Sequence, residues 1–124
     1  MEAGLAGTPG LHLIARPAEE GFVGSSFQAL LPGWPAGRVA ALVERCAARG
    51  VELKWFGAEA PHGFTSRYVH WRYAAPEPLP QTDRVLAGLI DMRLPLTFGM
   101  EDCATLARIL REEVAAHAPA TAAE

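Results

Sequence analysis

Between Val39 and Cys46 the apolar residues recur at helical spacing. Val39, Leu42, Val43 and Cys46 fall on one side, with Arg38, Glu44, Arg45 and Arg49 on the other. Pro35 suits the first turn of this helix, where its missing N–H costs nothing, and Gly50 follows as the left-handed cap. The period then changes to two. Val51, Leu53 and Trp55 alternate with Glu52 and Lys54, which predicts a strand over Val51–Phe56. Upstream, Ser25–Leu31 has strand composition and stops at Pro32-Gly33, while Leu11–Ala15 reads as a connector or edge strand ended by Arg16-Pro17. Downstream, a helix over about Gln81–Leu89 turns Val85, Leu86, Leu89 and Ile90 inward. A strand over Asp91–Thr97 follows, whose internal Pro95 argues for an edge position or an early end to pairing. The last helix, Met100 to Ala116, should bury Cys103, Leu106, Ala107, Leu110 and Val114. Glu101 and Asp102 stand at its positive end and Arg108 and Arg111 in its second half.

This order, β-α-β-loop-α-β-α, predicts an α/β, α+β-like small domain. About three strands carry helices mainly on one sheet face, in a layered or split-βαβ arrangement. Residues 1–20 read as a flexible N-terminal segment and connector, 21–116 as the domain, and 117–124 as a disordered tail. The stretch Gly57–Pro80 is of mixed composition and contains Pro61, Gly63, Pro76, Pro78 and Pro80. Loops of that length inside a compact domain usually have a job.

Composition narrows the class. The 124 residues suffice for a real core without metal or disulfide staples. A net charge of −3 gives no electrostatic footprint for nucleic acid or an anionic membrane. Cys46 and Cys103 lie on apolar helix sides without CxxC spacing, so they read as reduced core thiols. With no run of membrane-spanning length and no basic-then-apolar leader, a cytoplasmic protein is expected.

Candidate chemistry gathers in one loop, Pro61–Tyr73. Arg67 or Arg72 could grip a carboxylate or phosphate through the planar guanidinium fork, and Tyr68 or Trp71 could stack on a ring. His70 lies among them, and the five residues form a candidate substrate or domain contact. The structural alternative is that the aromatics pack the loop onto the sheet and the arginines face solvent or carboxylates. A hydrolase triad from Ser25, Ser26 or Ser66 with His62 or His70 lacks a G-x-S-x-G elbow. His62 and His70 have no Cys or carboxylate at ligand spacing, so no metal site is expected. No catalytic or cofactor-binding residue is assigned.

Several features form an ordered set: the helix ending at Arg49-Gly50-Val51, Leu79-Pro80 before the next helix, Leu94-Pro95-Leu96, and Glu101-Asp102 opening the last helix. From about Gly24 to Val114 this set resembles the C-terminal small domain of the DegT/DnrJ/EryC1/StrS aminotransferases, pyridoxal-phosphate enzymes of fold type I. Many members carry His-Tyr-Pro after the second strand, where this sequence has Trp55-Phe56-Gly57. The resemblance implies amino-group transfer to a keto sugar or similar ketone in an intact enzyme, with pyridoxal phosphate as cofactor. That chemistry needs a lysine amine to hold the cofactor and move protons, an acid for the pyridine nitrogen, and a phosphate cup. This chain has one lysine, Lys54, in a strand pattern, and no Gly-rich phosphate loop before a helix. It should therefore be inactive alone and bind no cofactor itself. Its expected partner is a missing large cofactor-binding domain or a second subunit, with a homodimer possible. The alternative is a free-standing small α/β binding or protein-interaction module.

Overall fold

A computed structural model describes residues 1–63, 67–73 and 75–118. The elements are α1 (Glu2–Leu5), β1 (His12–Leu13), β2 (Ser26–Leu30), α2 (Ala36–Ala48), β3 (Lys54–Trp55), a 3₁₀ turn at Tyr68–His70, α3 (Pro80–Gly88), β4 (Leu89–Arg93) and α4 (Met100–His117). The strands form one antiparallel sheet in the order β1-β2-β4-β3. β2 and β3 both run antiparallel to β4, hence parallel to each other, with α2 joining them. This is a split βαβ unit with β4 inserted, as the pattern predicts, but with four strands where three were expected.

Period-two geometry explains the layering. Phe27 pairs with Met92 and Ala29 with Ile90, so these four share a face. All four are buried, together with Val39, Leu42 and Cys46 of α2 and Ala107, Leu110 and Val114 of α4. Val51 and Leu53 are also buried while Glu52 between them is exposed, so the expected alternation holds there, whereas Lys54 and Trp55 are both half-buried. Only Lys54–Trp55 of that stretch joins the ladder, however. The opposite face carries Ser26 and Gln28 of β2, Asp91 and Arg93 of β4, and Lys54 of β3.

Two boundaries differ from expectation for physical reasons. β4 starts at Leu89 and ends at Arg93, so Leu94-Pro95-Leu96 lies outside the strand. Leu94 N–H still bonds to Ser25 C=O at 3.0 Å; Pro95 has no N–H to continue, and Phe98 N–H turns back to Pro95 C=O. β4 is also a central strand, so Pro95 marks an early end of pairing and not an edge. The lead segment, expected as flexible, holds α1 and β1. Leu5 of α1 is 1% exposed, and Gly4 sits so close to α4 that a Cβ there would lie 2.9 Å from Ala107 Cβ. Residues 119–124 of the expected tail lie outside the described residues.

Ion pairs lock α2 to α4. Arg49 reaches Glu112 at 2.6 Å and Glu113 at 2.7 Å, and Arg38 donates to the carbonyls of His117 and Ala118 at the end of α4. At the other end of α4, Gly99 N–H donates to Asp102 at 2.8 Å, satisfying one orphan amide.

Candidate functional site

The excursion between β3 and α3 begins where Gly57 passes against α3. A Cβ at Gly57 would lie 2.8 Å from both Ala87 Cα and Leu86 O, so only glycine permits this crossing. Trp55 clamps it from below, its Nε1–H donating to Ala87 C=O at 2.9 Å.

Further along, the sequence-singled residues are brought together, and three of them act as struts. Arg67 Nη2 donates to Asp83 Oδ1 at 2.9 Å and Tyr68 OH to Asp83 Oδ2 at 3.1 Å, tying the loop to α3. Tyr68 OH in turn accepts from Leu79 N–H at 3.1 Å. His70 Nδ1 accepts from Arg67 N–H at 3.1 Å, which fixes Nε2 as the protonated nitrogen; it donates to Glu59 C=O at 2.9 Å. Both ring nitrogens are engaged, so His70 offers no free lone pair for general-base work. Ser66, the triad candidate beside it, lies outside the described residues. Asp83, the anchor of the whole arrangement, carried no motif in the sequence.

The remaining residues face outward. Trp71 and Tyr73 stack with centroids 5.6 Å apart and planes 16° from parallel, and Arg72 between them is exposed. Tyr73 is 81% exposed, and Val69 and Leu79 add further apolar surface. A shallow cavity of about 280 Å³ lies beneath, lined by Tyr68, Trp71, Pro76, Glu77 and Leu79. The two readings of the loop thus divide by residue: Arg67, Tyr68 and His70 pack it, while Trp71 and Arg72 present a surface.

Lys54 occupies a different place, on the sheet face away from the helices and opposite Asp91. Asp91 is 7% exposed although it faces away from the helix layer. Burial pushes its carboxyl above the usual range, against the pull of Lys54 and Arg93. The cavity beside Lys54 is lined by Glu52, Arg93 and the apolar Met92, Pro95, Phe98 and Leu106. Asp91 faces this one amine, and none of the α4-start residues 99–102 lines the cavity, so it has no helix-start amide cradle for a phosphate and does not fit pyridoxal phosphate. On α2, burial and then the Glu113 charge push the Cys46 thiol up to about 12, which keeps it an inert core group. Cys103 is half-buried.

Among the described residues no group of three or more His, Cys, Asp or Glu could hold a metal ion. No helix among them is long and apolar enough to cross a membrane.

No protein-family model matches the chain, and no curated protein does. Among solved structures it is similar to the crystal structure of an aminotransferase, TlmJ, from Streptoalloteichus hindustanus. The TM-score is 0.72 at 19% sequence identity, over 93% of this chain and 29% of that one. The likeness is one of fold. This chain spans less than a third of the aminotransferase, and nearly all of it has a counterpart there.

Proposed function

We propose that this chain acts as the small-domain module of a pyridoxal-phosphate-dependent, DegT-type aminotransferase, and that it works only beside a cofactor-bearing polypeptide. The observation that carries the reading is the coverage: almost the whole chain superposes on under a third of an aminotransferase. The ordered motifs Arg49-Gly50-Val51, Leu79-Pro80 and Glu101-Asp102 lend support from the sequence side. So does the poor fit of Lys54 to the cofactor, since the chemistry must then be supplied elsewhere.

In this reading the braced loop is a wall of the composite site. Asp83 holds the Arg67 and Tyr68 side chains and His70 the loop backbone, and Trp71, Arg72 and Tyr73 face the partner or its substrate, a keto sugar or related ketone. Stacked aromatics suit a sugar or planar face, and an exposed guanidinium suits a carboxylate or phosphate. Pre-organisation by the Asp83 anchor lowers the ordering cost of that contact.

The full chain incubated with pyridoxal phosphate and an amino acid, then reduced with borohydride, tests the division of labour. The expected result is no saturable pyridoxyl group on Lys54 and no amino-group transfer. Stoichiometric labelling of Lys54 with turnover would overturn the proposal.

A further inference from the structure

The β3–β4 register leaves the backbone of Arg93 open, and a cavity stands beside it. Leu94 N–H bonds to Ser25 C=O and Leu31 N–H to Gly88 C=O, so even-numbered residues of β4 direct their backbone groups to β2. The odd-numbered residues Leu89, Asp91 and Arg93 therefore direct theirs to β3. Leu89 C=O accepts from Phe56 N–H at 3.1 Å, and Asp91 lies opposite Lys54. Continuing that register would set Arg93 opposite Glu52. The ladder stops first, and no backbone hydrogen bond joins the two. A cavity of about 420 Å³ fills the gap, with Glu52 and Lys54 on one limb, Met92 and Arg93 on the other, and Phe98 and Leu106 adding apolar wall. β3 and β4 thus form a fork, closed where Lys54 meets Asp91 and open at Arg93.

We propose that this fork captures the C-terminal end of an extended polypeptide. The inference is independent of the aminotransferase reading. Chain direction decides which end enters. A segment laid antiparallel on β4 runs as β3 does, from the Arg93 level towards Lys54, and so arrives carboxyl end first. Its last residue accepts from Arg93 N–H and donates its own N–H to Arg93 C=O, completing one strand pair. The remaining carboxylate oxygen meets the Lys54 ammonium at the closed end. The last side chain shares the Arg93 and Lys54 face, and the one before it falls on the Met92 side, where an apolar group fits against Met92, Leu106 and Phe98. Parallel entry would instead push an ammonium group towards Lys54, like charge on like. A small free carboxylate would satisfy the Arg93 N–H and leave its carbonyl bare. Glu52, on the limb facing the incoming segment, selects against acidic residues just before the terminus.

Amide NMR on the isotope-labelled full chain tests this with three peptides: acetyl-Ser-Gly-Thr-Val as free acid, the same peptide as C-terminal amide, and the free acid N-methylated at valine. The free acid should give a saturable shift and slowed solvent exchange at the Arg93 amide. The amide and the N-methylated peptide should each bind roughly tenfold more weakly, and Lys54→Met should bring the free acid down to the level of the amide. No response at Arg93, equal binding of acid and amide, or acetate competing as well as the peptide would each overturn the proposal.

Discussion

Glu113 lies on α4 with 6% exposure, a carboxylate tolerated there because Arg49 donates to it at 2.7 Å. That hydrogen bond holds the Glu113 carboxyl below its ordinary value of 4.5, and Arg49 lowers Glu112 in the same way. A carboxyl depressed in the folded state stabilises the fold above about pH 4.5 and loses that contribution as pH falls through the folded value. Arg49→Met should therefore lower Tm at pH 7 and flatten the acid limb of a Tm-versus-pH curve. Asp91 works with opposite sign. Its carboxyl is raised by burial, so its charge opposes folding once pH exceeds the folded value. Thermal melts of Asp91→Asn should accordingly show a higher Tm than the parent at pH 7 and an equal one near pH 3.

At the scale of elements, α2 and α4 were legible because each has a 3.6-residue apolar repeat and a start or stop residue: Pro35, Gly50 and Asp102. α1 and β1 were not, since a helix of 4 residues and a strand of 2 are shorter than any periodic window. Leu5 holds α1 in the core through contacts far along the chain, which no local pattern reveals. Leu5→Ala should cost about 2–5 kcal/mol by denaturant unfolding; a change within about 0.5 kcal/mol, the range of surface substitutions, would show the lead segment to be dispensable. The candidate loop was legible in composition but not in its division of roles. Arg67 and Tyr68 became struts because Asp83, a residue with no sequence signal, faces them from α3. Asp83→Ala should loosen residues 67–79 to proteolysis and amide exchange. The stability loss should be only about 1 kcal/mol, because both partners are part-exposed.

Taken whole, the molecule is a split βαβ sheet with α1, α2 and α4 on one face and a polar row, Gln28–Asp91–Lys54, on the other. In the proposed enzyme a second polypeptide would meet the exposed, stacked Trp71 and Tyr73. The most direct measurement starts from the native protein, isolated from its own cells with an antibody against α4. Borohydride reduction then fixes any pyridoxyl group, and mass spectrometry finds the labelled lysine. A label on a lysine outside these 124 residues, in material that co-purifies at fixed stoichiometry, is the predicted result. A label on Lys54, or a native complex that carries no pyridoxyl group at all, would contradict it.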